Sequence, residues 1–256
     1  MNENQQIYES KKVVRNYRGL NKIYPAERVL LDIISRKTGK ETMLDLGIGA
    51  GRTTYHFASL FKKYIGVDFS AGMIVASRNR FKDRLNAEFI VADVTSIPQL
   101  QVDHFDFILY SLNGIDCLRN FDDRVKLLSK IYNLLGNGGV FAFSAHNTKA
   151  ITRLYTFQWP RRNPYRIITE YIKQKKLRSI NGPLSNFINK DFFQLYDGGE
   201  YFKAFFSYIS PALQIKLLKD AGFKKIQTIG IKGNELALEK VIDSDDDWIH
   251  YFCYKD

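Results

Sequence analysis

Met43-Leu44-Asp45-Leu46-Gly47-Ile48-Gly49-Ala50-Gly51-Arg52-Thr53-Thr54 passes from an apolar run through three alternate glycines into residues that can open a helix. Such a run reads as a strand and a tight turn. Glycine takes φ > 0 without a Cβ clash and lets a ligand reach main-chain N–H groups. The dinucleotide fingerprint GxGxxG needs glycine at position 52, where Arg52 stands, and no GK[ST] of a P-loop follows. Pyrophosphate binding is therefore not indicated.

Working outward, short apolar runs recur with helical patterns between them. Thr42–Leu46, Tyr64–Val67, Glu88–Val91, Phe105–Tyr110 and Gly139–Phe143 predict strands, so the first 145 residues read as βαβα, a parallel sheet covered by helices. Leu127, Leu128, Ile131, Leu134 and Leu135 mark one helix face, with Asp122 near its start and Gly136 expected as a left-handed stop. Asn2–Arg18 and Ala26–Lys37 read as helices ahead of the sheet. After Ser144 the alternation stops until Ser210-Pro211, an N-cap with proline at the first helical position. Leu213, Leu217, Leu218 and Ala221 line that helix and Gly222 ends it. Phe223–Gly230 and Asp247–Tyr254 predict the last strands. Ala145–Ile209 is too long for a connection and too short for a typical domain. It reads as an inserted lid or substrate lobe, with 1–144 and 210–256 forming the main domain.

The 256 residues are 45% apolar and 25% charged, the composition of a globular protein, which excludes a disordered tail or a collagen-like rod. Cys117 and Cys253 form no CxxC, which fits a reducing compartment and argues against a cysteine-rich metal site. The polar opening MNENQQIYESKK and the lack of an apolar run of about 20 residues predict a cytoplasmic protein. His56, His104, His146 and His250 are dispersed without ligand spacing, so no metal is expected.

The net charge of +11 is uneven. Asn147–Phe193 holds ten Lys or Arg against Glu170 and Asp191, a net +8. The cluster Arg161, Arg162, Arg166 and the run Lys173, Lys175, Lys176, Arg178 suit a phosphorylated or nucleotide-linked acceptor, an anionic membrane or RNA. A solvated basic face is the plainer alternative. The aromatics among them, from Tyr155 to Tyr208, are mostly expected to form the lobe's own core.

The glycine turn resembles that of class I S-adenosylmethionine-dependent methyltransferases. Tyr64-Ile65-Gly66-Val67-Asp68-Phe69-Ser70, Val91-Ala92-Asp93-Val94 and Leu135-Gly136-Asn137-Gly138-Gly139-Val140 extend the resemblance in the same order. Each lies at the carboxyl end of a predicted strand or its approach, the edge where open α/β sheets bind ligands. The resemblance implies a Rossmann-like, seven-stranded α/β sheet and S-adenosylmethionine as cofactor. It implies that Asp68 holds the ribose hydroxyls, with Phe69 beside it, and that Asp93 accepts from the adenine amino group beside Val94. Asp45, Gly47, Gly49 and Gly51 shape the turn around the methionyl part, and Ser111 lies near its ammonium. Each acid equally suits a loop cap.

The loop Ser111-Leu112-Asn113-Gly114-Ile115-Asp116 lacks the Pro-Pro-aromatic pattern of nucleobase amino methyltransferases, and no Pro-Cys nucleophile is present. With Phe143-Ser144-Ala145-His146-Asn147 it resembles methyltransferases of bacterial polysaccharide and metabolite pathways. The acceptor implied is a hydroxyl or amine of a small molecule such as a sugar; RNA is the second candidate, and a non-catalytic cofactor-binding protein the third. His146 sits past the fifth strand where an imidazole suits a general base, or simply a local hydrogen bond. Asn113 and Asp116 suit acceptor positioning, or capping. Tyr8, Tyr17 and Tyr24 lie in N-terminal helices of the kind that close over the cofactor, but read as packing residues.

Overall fold

The computed structural model describes residues 3–37, 39–97, 100, 102–159 and 164–256. Arg161 and Arg162 lie outside the described residues. Three helices, α1 (Glu3–Tyr8), α2 (Lys11–Arg18) and α3 (Pro25–Ser35), precede β1 (Thr42–Leu46). Strand and helix then alternate through α4 (Arg52–Phe57), β2 (Lys63–Asp68), α5 (Ala71–Arg80), β3 (Ala87–Val91), β4 (Phe105–Tyr110), α6 (Phe121–Leu134) and β5 (Leu135–His146). The next segment holds α7 (Ala150–Tyr155), α8 (Pro164–Asn181), β6 (Phe192–Leu195) and β7 (Phe206–Ile209). The chain returns with α9 (Pro211–Asp220), β8 (Ile226–Ile229), β9 (Glu235–Leu236), α10 (Leu238–Val241) and β10 (Trp248–Tyr254).

The main sheet runs β3-β2-β1-β4-β5-β10-β8-β9. Its first five strands are parallel, and β10 lies antiparallel between β5 and β8. It is an α/β sheet of eight strands rather than seven. The extra one is the two-residue edge β9, paired only through Thr228↔Leu236 and Ile229↔Glu235, too short to leave a period in the sequence. Chain direction across the sheet reverses between β1 and β4, so the carboxyl ends of these strands flank a crevice.

Central strands buried on both faces explain the continuous apolar runs. Along β1, Met43 packs with Leu30, Ile34 and Phe107 on one side. Leu44 and Leu46 pack with Ile108, Leu127, Leu128 and Leu218 on the other. Ser210 caps α9 by accepting from the Leu213 N–H, and Gly222 takes φ +108 beyond its end, as the sequence predicts.

Three local readings change. The helix expected over Asn2–Arg18 breaks at Glu9-Ser10, because the Ser10 hydroxyl accepts from Val13 N and starts α2 afresh. Gly136 is not left-handed; α6 passes directly into β5, and Gly138 takes the positive φ of +73. β5 also carries Ala145 and His146 into the main sheet, opposite Ile249 and Trp248. The 18-residue α8 was unpredicted: its face against the rest of the protein is held by Gln174 and Leu177, which is no apolar stripe. Leu177 joins Ala150, Ile151, Tyr155, Phe187, Phe193, Leu195 and Tyr208 in a core separate from those of the main sheet.

Candidate functional site

At the carboxyl ends of β1, β2 and β4 lies a hollow of about 880 Å3, counted to its solvent-open mouth. The turn after β1 forms its floor. Gly47 and Gly49 take φ of +64 and +55, and a Cβ on Gly47 would lie 2.9 Å from the Tyr110 ring. Two backbone conformations costly for other residues thus expose main chain to the hollow. Asp68, at the end of β2, lines the same wall and is 6% exposed. Its Oδ2 accepts from Gly49 N and its Oδ1 from Ser70 N, both at 2.8 Å. Burial pushes its pKa up to about 6, against the pull of these two donors. A carboxylate with two oxygens has lone pairs left for further donors.

Phe69, Val94 and Ser111 line the hollow with Gly47, Gly49 and Asp68. Asp93 does not. It borders an adjoining recess that shares Phe69, Val94 and Tyr110, and its Oδ1 is taken by Thr95 N at 2.8 Å and Thr95 Oγ1 at 2.7 Å. Asp45 and Gly51 also stand off the wall. Asp45 is buried beneath the turn, where Thr53 Oγ1 (2.5 Å) and Tyr64 OH (2.6 Å) both donate to its Oδ2. Burial raises its pKa to about 7, opposed by those donors. Gly51 takes φ +81 at the N-terminus of α4, where a Cβ would collide with Phe81. Both residues hold the turn's shape rather than face the hollow.

Tyr8 and Tyr17, read above as packing residues, form part of the wall. Their rings meet edge-on at 6.0 Å, and Tyr8 meets Phe69 edge-on at the same distance. Burial pushes Tyr17 up to about 12 and Tyr8 upward as well, so both remain protonated donors. Arg52, on the opposite side, is held by Glu27 in a two-pronged ion pair of 2.6 and 2.7 Å and donates to Ser111 Oγ at 2.8 Å. Ser111 itself donates to Glu27. Burial alone would raise the Glu27 pKa, but the Arg52 bonds and charge outweigh it and leave it lowered. The sequence signal for this group was slight: Glu27 lies three residues after Tyr24, whose N–H it accepts at 2.9 Å.

Asn113, Asp116 and His146 come together. His146 Nδ1 lies 2.9 Å from Asp116 Oδ2, which also accepts the His146 backbone N–H at 2.7 Å. His146 Nε2 is 3.1 Å from Asn113 Nδ2. With the Asn113 amide nitrogen facing it, Nε2 is the accepting nitrogen, while Nδ1 lies at ion-pair distance from Asp116 without an aligned hydrogen bond and Asn113 Oδ1 has no partner among the described residues. Asp116 is wholly buried and paired with Arg124, which donates to Gln214 Oε1 at 2.6 Å and Ser207 Oγ at 3.0 Å. The imidazole stacks on Tyr208 at 4.7 Å. None of the three residues lines the hollow itself. Leu112, Gly114 and Phe206 do, and the Phe206 ring is 5.7 Å from that of His146. The trio therefore stands one side chain behind the wall.

The positions of the residues fit S-adenosylmethionine. The glycine cradle is one that a Cβ at Gly47 would fill, a buried carboxylate faces the hollow from β2, and aromatic rings with Val94 supply apolar walls. The sequence from residue 43 to 139 matches the family model of a methyltransferase domain. Demethylmenaquinone methyltransferase of Clavibacter sepedonicus is 30% identical over 111 residues, 43% of this chain and 43% of that protein. The chain thus matches less than half the length of that relative. A S-adenosylmethionine-dependent methyltransferase of Clostridium acetobutylicum shares the fold, with a TM-score of 0.64 at 17% identity over 98% of this chain and 96% of that one. The CcbJ methyltransferase of Streptomyces caelestis does so with a TM-score of 0.64 at 15% identity, over 97% and 98%.

Proposed function

Residues 43–139 being a methyltransferase domain, we propose that the chain is a S-adenosylmethionine-dependent methyltransferase acting on a small molecule. The observation that carries this reading is Asp68, tied to Gly49 and facing the hollow. Its carboxylate would accept the ribose hydroxyls and Phe69 and Val94 would flank the base, with Asp93 bordering the adjoining recess. Tyr8 and Tyr17, in the wall, would shield part of the cofactor from water. The bound sulfonium supplies an already activated methyl group, so the protein has to orient the acceptor and dispose of its proton.

His146 takes that proton at Nε2 from an acceptor hydroxyl. Asp116 fixes the tautomer through Nδ1 and stabilises the imidazolium that forms. The Asn113 amide, which donates to Nε2 in the resting site, turns to the acceptor instead. Because the trio lies behind Leu112 and Phe206, these side chains shift or the acceptor reaches between them. Arg124 pairs with Asp116 on the side away from His146 Nδ1, through the other carboxylate oxygen.

The similarity to a demethylmenaquinone methyltransferase supports a second acceptor class, an activated ring carbon. A base is required there as well, because the methylated carbon loses a proton. Incubation with methyl-labelled cofactor and separate small-molecule, lipid and RNA fractions distinguishes these outcomes by mass spectrometry. Label in a polar metabolite supports a hydroxyl or amine acceptor, and label in a quinone-like lipid supports ring methylation. Label confined to RNA overturns both. Asp68→Ala should abolish detectable cofactor binding by calorimetry.

A further inference from the structure

We propose that the first half of α8, with Trp159 before it, docks the protein on the surface of an anionic phospholipid bilayer. Trp159, Ile168, Tyr171 and Ile172 are each between 57% and 76% exposed, although large and apolar. Ile168 and Ile172 share a helix face four residues apart, opposite the Gln174 and Leu177 side that meets the rest of the protein. Lys175 and Lys176 continue the Ile168–Ile172 face toward the C-terminus, both exposed, with the Lys176 amine also donating to Tyr201 O at 3.4 Å and lying 5.1 Å from the Phe202 ring. The outward surface of α8 is therefore apolar for two turns and cationic after them.

The charge on this element is not neutralised within the chain. Lys149 and Arg153, nearer the main sheet, pair with Asp243 and Asp247. Among the described residues no salt bridge reaches Arg166, Lys173, Lys175, Lys176 or Arg178. Glu170, the one acid of α8, accepts instead from Gln174 at 3.1 Å. Exposed isoleucine and aromatic side chains beside un-neutralised lysines match the two layers of an anionic lipid surface, acyl boundary and phosphate. A two-fold pairing with another copy would instead bring these cations together without acids to offset them. RNA phosphates would use the lysines but gain nothing from Ile168 and Ile172. Among the described residues no helix is long and apolar enough to cross a membrane.

The proposal does not depend on the methyltransferase reading, and its test reads lipid binding alone. The full chain is sedimented with vesicles of phosphatidylcholine and with vesicles in which a third of the lipid is phosphatidylglycerol. Partitioning should be at least about tenfold stronger onto the anionic vesicles and should fall with salt. Ile168→Ser with Ile172→Ser should lower it about tenfold, as expected when several methylene groups leave the acyl boundary. Lys175→Ala with Lys176→Ala should lower it by about ten- to thirtyfold and flatten the salt dependence. Circular dichroism should show both variants folded, since all four side chains are exposed and Lys176 gives up no more than its contacts with Tyr201 O and the Phe202 ring. Absence of vesicle binding, equal binding to neutral and anionic vesicles, or retention by the isoleucine variant overturns the proposal. So does a dimer that the isoleucine variant dissociates, or salt-dependent RNA binding in place of lipid binding.

Discussion

Acidification through pH 6 should weaken cofactor binding if Asp68 receives the ribose as proposed, because burial makes that carboxylate easy to protonate. Asp68 is pushed up to about 6 by burial, while Gly49 N and Ser70 N oppose the shift. With that value roughly one tenth of the side chain is ionised at pH 5 and nearly all at pH 8. Protonation puts a hydrogen on one of two oxygens already facing backbone donors, so the ribose loses an acceptor and a charge. Affinity for S-adenosylhomocysteine should therefore fall about tenfold between pH 8 and pH 5, most of it below pH 6. Titration calorimetry at pH 5, 6, 7 and 8 measures this directly. Asp68→Asn should bind more weakly at every pH, by about 1–3 kcal/mol, because its amide nitrogen opposes the Gly49 or Ser70 N–H, and it should lose the pH slope. Stability carries a second sign. The folded-state pKa lies above that of an unfolded carboxyl, so stability contributed by Asp68 is complete below about pH 4 and is lost as pH rises to 6. Wild type should therefore lose stability relative to Asp68→Asn over that window when no cofactor is present. A wild-type affinity flat from pH 5 to 8, or the same slope in Asp68→Asn, would refute the assignment.

Replacing His146 by Gln should lower kcat by about 10²–10⁴-fold in labelled-methyl turnover and leave cofactor affinity unchanged; an unaltered kcat removes the base from Nε2. Gly51→Ala should cost about 1–3 kcal/mol in denaturant unfolding, since the new Cβ meets Phe81 at a positive φ. Gly138→Ala, with φ +73 but nothing within 4 Å, should cost about 1 kcal/mol or less, so equal losses at the two sites would contradict the packing argument. Arg124→Met should destabilise by about 3–5 kcal/mol because it leaves Asp116 a buried charge without its partner. Adding Asp116→Leu should restore part of that loss, and no recovery would show that the pair is not what the packing depends on.

The sheet was readable because its strands are buried on both faces and separated by helices with one apolar stripe. Met43, Leu44 and Leu46 go to opposite cores, yet both destinations demand an apolar residue. The two-residue β9 and the 18-residue α8 were not readable for a shared reason: neither buries enough on one face to impose a period. At the site, the glycine spacing placed the turn but could not separate residues that face the hollow from those that brace it. Gly49 and Gly51 look alike in sequence. Only the Phe81 ring, thirty residues on, makes Gly51 a packing requirement. Asp45 and Asp68 both lie near the carboxyl ends of buried strands, and the difference between them is again supplied from outside: Thr53 and Tyr64 donate to Oδ2 of the first beneath the turn, while the second accepts from backbone N–H groups and lines the hollow.

The same logic explains why the place of Tyr8 and Tyr17 in the wall was not legible while the proximity of Asn113, Asp116 and His146 was. Tyr8 and Tyr17 sit on short helices whose docking depends on distant contacts, such as Glu9 accepting from Ala71 N at 2.7 Å and Asn4 donating to Phe205 O at 2.8 Å. No local pattern reports such contacts. Asn113, Asp116 and His146 follow the carboxyl ends of β4 and β5, whose parallel pairing places Tyr110 opposite Phe143. Neighbouring strand ends must converge, so adjacency in the sheet brought these residues together before any side chain was placed. What adjacency could not supply was depth. The chain following β5 returns Ser207 against Asp116 and Arg124, and Phe206 to the wall of the hollow, so the segment that adds a hydrogen bond to Asp116 also stands between the trio and the hollow.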